Sequence, residues 1–126
     1  MARILVIDDS VSTLELVECI LSQAGHEVIT SQSGVRGAAI VAREPLDLLI
    51  TDIYMPEKDG LEVLRGARRS CPGLRVIAMS AVTGKHDMLR VAKALGARLT
   101  LRKPFSTGQL LEAVNACLPP QGAKDA

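Results

Sequence analysis

The stretch Leu46-Asp47-Leu48-Leu49-Ile50-Thr51-Asp52-Ile53-Tyr54-Met55-Pro56 decides the fold. Its apolar run, Leu48 to Ile50, is too short for a helix and is bounded like a strand buried on both faces. The strand closes on a carboxylate, Asp52, and Met55-Pro56 stops extended pairing soon afterwards. An acid at the carboxyl end of a buried strand lies where open α/β sheets place their chemistry. Burial there costs a carboxylate several kcal/mol, roughly, unless something positive answers it.

Working outward, the same pattern recurs. Ile4 to Ile7 is a short β-branched run ending in Asp8-Asp9, and Arg75 to Met79 is another that reaches Ser80. Glu27 to Ser31 and Arg98 to Arg102 mix polar and apolar residues. Helical periodicity fills the gaps. Ser12 and Glu15 have capping-box spacing, and Leu14, Val17, Leu21 and Ala24 make one stripe that Gly25 closes. Further helices are predicted from about Val35 to Arg43, from Asp59-Gly60 to just before Pro72, and from Gly84 to Leu95. The third carries Leu61, Leu64 and Ala67; the fourth turns Met88, Val91, Ala92 and Leu95 inward and stops at Gly96. Ser106 and Gln109 form a second capping-box pair, opening a last helix through Leu118.

Strands alternating with helices predict an α/β fold: a five-stranded parallel sheet with helices on both faces. The first, third and fourth strands are almost wholly apolar, as central strands should be, and the second and fifth tolerate edges. That predicts the order 2-1-3-4-5 of the flavodoxin-like (βα)5 arrangement. With no repeat or linker, residues 1–119 form one domain, followed by a disordered tail over 120–126.

The totals exclude several classes. The 126 residues suffice for a core without staples, and 48% are hydrophobic, which argues against disorder. One Phe, one Tyr and no Trp leave no base-stacking platform. A net charge of +1 predicts no global pull toward nucleic acid or an anionic membrane. No stretch has the length of a membrane span, and the N-terminus lacks a signal-peptide core. Cys19, Cys71 and Cys117 lack metal-ligand spacing and read as reduced, small core residues of a cytoplasmic protein.

A parallel sheet delivers every strand's last residue to one edge, here Asp8, Asp9, Asp52, Ser80 and Lys103. Three crowded carboxylates repel unless a cation joins them. Mg²⁺ matches this oxygen set, with the backbone carbonyl of Tyr54 as a further ligand. Two charges from Mg²⁺ and one from Lys103 balance the three acids, while Lys103 and the Ser80 hydroxyl suit phosphoryl oxygens. A carboxylate beside such an ion is a competent nucleophile toward phosphorus, so Asp52 would become an aspartyl phosphate.

The run Ile4 to Asp9, the Asp52-Ile53-Tyr54-Met55-Pro56 segment with Gly60, Ser80-Ala81, and Lys103-Pro104-Phe105 together resemble the receiver domain of two-component response regulators. The resemblance runs from about Ala2 to Leu118. It implies Asp52 as phosphoacceptor, Asp9 as direct Mg²⁺ ligand, Asp8 as ligand through water, Ser80 and Lys103 as phosphoryl contacts, and a cis peptide before Pro104. It also implies a histidine kinase or histidine phosphotransfer protein as donor and a downstream target protein as reader. The reading face would be the fourth helix, fifth strand and fifth helix, with Arg98, Thr100 and Arg102. Two positions depart from the pattern. Thr100 stands three residues before the lysine, where receivers commonly carry the aromatic switch, and is too small to move in the same way. Tyr54 and Val82 occupy positions that tune dephosphorylation; Val82 is expected not to orient an attacking water, which lengthens the phosphoryl lifetime.

Other features have plainer explanations. Arg65, Arg68 and Arg69 read as a solvated helix face, and His26 and His86 as solvated side chains. With nothing foldable after Leu118, no attached output domain and no separate substrate turnover are expected. A receiver fragment of a longer DNA-binding regulator or hybrid kinase is the alternative. A Mg²⁺-dependent aspartyl-nucleophile phosphohydrolase is weaker, because Tyr54 stands where such enzymes carry a second acid. A phosphate-independent docking domain on the same fold is a further rival.

Overall fold

A computed structural model describes residues 2–54, 60–81 and 88–118. Five strands, β1 (Arg3–Ile7), β2 (Glu27–Ser31), β3 (Leu48–Asp52), β4 (Arg75–Ser80) and β5 (Leu99–Arg102), form one parallel sheet in the order β2-β1-β3-β4-β5. Between and after them lie α1 (Val11–Gln23), α2 (Gly34–Arg43), α3 (Gly60–Ser70), α4 (Met88–Ala94) and α5 (Thr107–Cys117). The expected order holds for the expected reason. β3 is buried throughout and β1 and β4 nearly so, whereas β2 and β5 expose part of their length.

Alternation along the central strands divides the apolar residues between two layers. Ile4, Val6, Ile50, Ile77 and Met79 pack toward α1 and α5, meeting Leu14, Val17, Leu110 and Val114. Leu5, Ile7, Leu49, Val76 and Ala78 face the other way, against Val41, Val63, Leu64 and Ala92. Two glycines let helices approach closely. A Cβ on Gly37 would lie 2.1 Å from Ile7 Cδ1, and one on Gly60 would lie 2.1 Å from the Asp52 carbonyl oxygen. Gly25 and Gly96 adopt φ of 94° and 115°, ending α1 and the turn before β5.

Several local expectations are corrected. The α1 cap is Ser10, whose hydroxyl accepts from the Thr13 amide at 3.3 Å, and not a Ser12–Glu15 box. The Asp8 carboxylate accepts the Ser10 N–H at 2.9 Å, which turns the chain into the helix two residues early. Ala24 then falls at the exposed C-cap, off the buried stripe. In α4, Ala92 is fully buried, whereas its neighbour Val91 turns away from the sheet and is 41% exposed. Cys117 is a core residue, but Cys71 is half-buried and Cys19 faces outward on α1. His26 is not simply solvated: its Nδ1 accepts the Ala2 N–H at 3.1 Å. Arg68 folds back to donate to the carbonyls of Pro72 and Leu74, leaving Arg65 and Arg69 on the exposed face. The Ser106–Gln109 capping box is present in both directions. The expected helix start from Gly84, the Asp59 helix start, Val82, His86, the Met88 side chain and the tail over 120–126 lie outside the described residues.

Candidate functional site: an acidic pocket at the carboxyl edge of the sheet

β1 and β3 are neighbours, so Asp8, just past β1, and Asp52, closing β3, arrive side by side. Asp8 is fully buried and Asp52 is 6% exposed, whereas Asp9 faces solvent. Carboxylate oxygens of Asp8, Asp9 and Asp52 lie within 4.8 Å of one another. Lys103 enters from the end of β5 and bridges the two buried acids, with Nζ at 2.6 Å from Asp8 Oδ2 and 3.3 Å from Asp52 Oδ2. The second Asp8 oxygen takes the Ser10 N–H, and the Asp8 N–H donates to the Ser31 carbonyl at 3.1 Å. Asp8 is therefore fixed from three directions.

Ser80 closes β4 and is buried; its carbonyl accepts the Lys103 N–H at 2.9 Å, which ties the two phosphoryl-contact candidates together. Ala81 is exposed just beyond it. The Lys103–Pro104 peptide is cis, as the family resemblance implied. Tyr54 lies two residues past β3 with an exposed side chain. Thr100 sits in mid-β5, half-buried and paired with Ala78, with no aromatic bulk to turn inward.

The electrostatics fit a site built for a cation. Burial, then the Asp8 charge, raises Asp52 from 3.8 to about 6, against the opposing pull of Lys103. Burial pulls Lys103 down, but its bond to Asp8 and the charges of Asp52 and Asp8 outweigh that and leave it raised. Lys103 alone thus does not satisfy the acids. The three carboxylates could hold a hard divalent ion against the remaining negative charge, and an all-oxygen donor set of this kind suits Mg²⁺.

Three contributions to the site were not legible in the sequence. The Ser10 amide that holds Asp8 looks like an ordinary turn group. The Thr51 hydroxyl donates to the Asp52 carbonyl at 3.0 Å, and nothing in the sequence distinguishes it from a strand Thr. Gly60 was legible as a helix start; that it leaves room for the Asp52 backbone emerges only in three dimensions.

Parallel sheet, strand order and an acid–lysine cluster at the carboxyl edge define a receiver-type signalling domain. Residues 4–115 match the response regulator receiver domain family, and the chain belongs to that family. It is 32% identical over 117 residues to sporulation initiation phosphotransferase F of Bacillus subtilis, covering 93% of this chain and 94% of that protein. Protein PilH of Pseudomonas aeruginosa is 31% identical over 119 residues, covering 94% of this chain and 98% of PilH. The transcriptional regulatory protein GlrR of Escherichia coli is 32% identical over 117 residues, which cover 93% of this chain but 26% of GlrR. The receiver domain protein from Methanospirillum hungatei superposes with a TM-score of 0.86 at 28% identity, covering 92% of each chain. The chain is thus a phosphoacceptor domain of two-component signalling. No described helix is long and apolar enough to cross a membrane.

Proposed function

We propose that Asp52 is the phosphoacceptor, taking a phosphoryl group from the phosphohistidine of a sensor kinase or of a histidine phosphotransfer protein. The observation that carries this is the Lys103 ammonium shared between Asp8 and Asp52 beside a third carboxylate. An Asp52 oxygen forms the new O–P bond as the donor's P–N bond breaks, and the departing imidazole keeps the electron pair. Lys103 offers its charge to one phosphoryl oxygen, and the Ser80 hydroxyl donates to another. Asp8, Asp9, Asp52 and the Tyr54 carbonyl would hold Mg²⁺, which supplies charge compensation for the incoming phosphate.

Phosphorylation adds about −1.5 to −2 charges at this pole and biases an existing two-state equilibrium. The readout is a changed contact with a downstream protein along β5 and α5. There a groove of about 540 Å³ is lined by Thr100, Arg102, Phe105, Gln109 and Glu112. Thr100 makes that coupling independent of an aromatic swing. The module works in the cytoplasm, with residues 1–119 as the receiver unit, and turns over no separate substrate. A second reading, a receiver joined to an output domain, is favoured by the GlrR match, which spans about a quarter of that regulator.

Intact-mass spectrometry after incubation with Mg²⁺ and a small phosphodonor tests the assignment. Wild type should gain one phosphoryl group and Asp52→Asn none. Equal uptake by both would remove Asp52 from the role.

A further inference from the structure

At the opposite pole, where β4 and β5 begin, the molecule carries a concentration of positive charge that the receiver chemistry does not use. A cleft of about 320 Å³ is lined by Arg68, Gly73, Leu74, Arg75, Gly96 and Arg98, and among the described residues no carboxylate contributes to it. On the β1–β2 side of the same pole, Arg3 is ion-paired to Glu27 and Glu44 at 3.0 and 2.8 Å. Among the described residues neither Arg75 nor Arg98 has such a partner. Arg68 uses its two terminal nitrogens on backbone carbonyls, and its Nε is buried with no acceptor among the described residues. A buried donor without an acceptor is costly, more so on a charged group.

We infer that Arg68, Arg75 and Arg98 form a binding site for a small phosphate-bearing anion. Guanidinium forks match phosphate oxygens in pairs, and they remain charged at any physiological pH. Two unpaired guanidinium groups and the Arg68 charge call for a ligand with more than one negative charge. The cleft volume lies at the lower end of small-molecule sites, which suits a diphosphate or a phosphorylated metabolite better than a protein surface. The placement is specific to the fold. Gly96, at φ 115°, would bring a Cβ to 3.0 Å from Arg68 Cδ, so a side chain there would press on the arginine. Arg98 and Arg75 also pull the thiol of buried Cys117 downward, against the larger upward push of burial, so their field converges at this pole.

The test is a ¹H–¹⁵N NMR titration of the full chain with inorganic pyrophosphate, free of divalent metal. Saturable shifts are expected at residues 73–76 and 96–98 and at the arginine Nε groups, with a dissociation constant below about 1 mM. Arg98→Gln should weaken binding about tenfold, by loss of one charged fork. Gly73→Asp should abolish it: the space at Gly73 is open to a Cβ, so that variant adds a negative charge without a collision. Asp52→Asn should bind pyrophosphate as wild type does, which separates this site from the phosphoacceptor. A nucleoside diphosphate binding as well as or better than pyrophosphate keeps the phosphate class; citrate binding more tightly than either overturns it. Absence of saturation up to about 10 mM, shifts centred on Asp8 and Asp52, or undiminished binding in Gly73→Asp would each refute the site.

Discussion

Replacing Asp52 by Asn should stabilise the metal-free protein, and the gain should depend on pH. Asp52 is held at about 6 in the folded protein against 3.8 in an unperturbed carboxyl. Below about pH 4 both states keep the proton and little is lost. Between those values the unfolded chain releases its proton while the folded protein retains it, so stability falls as pH rises and levels off above about 6. The gap between 3.8 and about 6 corresponds to about 3 kcal/mol at full linkage. Since the Asp52 side chain keeps 9% of its surface in water beside Lys103, we take roughly 1 to 3 kcal/mol. For a domain of this size that is a rise of about 4 to 12 °C in Tm. Thermal unfolding followed by circular dichroism, with a chelator present, should show the two proteins nearly equal at about pH 4 and Asp52→Asn well above wild type at about pH 7.5. A variant no more stable than wild type at neutral pH, or a gain of the same size at both, would refute the crowding of acids.

Three smaller perturbations test the supporting structure. Gly60→Ala drives a Cβ to 2.1 Å from the Asp52 carbonyl, so it should cost about 1 to 3 kcal/mol in denaturant unfolding and slow phosphoryl uptake. Unimpaired uptake at wild-type stability would contradict the close approach. His26 has its pKa lowered by burial and then by the N-terminal charge, so its contribution is complete above 6.5 and is lost as pH falls below that value. His26→Gln should flatten that part of the stability–pH curve, and an unchanged slope would count against the Ala2 bond. Ser106→Ala removes the cap of α5 and should cost about 1 kcal/mol by urea unfolding, with phosphoryl uptake intact.

The sheet was readable because burial leaves a one-dimensional trace: the uninterrupted apolar runs at Ile4 and Leu48 mark the centre, and Glu27 and Arg102 mark the edges. The pocket was readable for the same reason, since parallel strands fix where Asp8, Asp52, Ser80 and Lys103 end. Competing local hydrogen bonds were not. Ser10 and Ser12 can each cap a helix, and the bond from the Ser10 amide to Asp8 decides between them. Arg68 repeats with Arg65 and Arg69 along α3 and looks like surface charge; only the fold brings it to the carbonyls of Pro72 and Leu74. Val91 and Ala92 are adjacent apolar residues, and α4 buries just one of them.

The central claim, that acids gathered at one edge of the sheet share a magnesium ion, is tested most directly by ¹³C NMR titration of the Asp52 carboxyl carbon. In chelator its midpoint should lie near 6, and saturating Mg²⁺ should move it well below that value. A midpoint near 3.8 with and without the ion would mean that Asp52 feels neither its neighbours nor the metal.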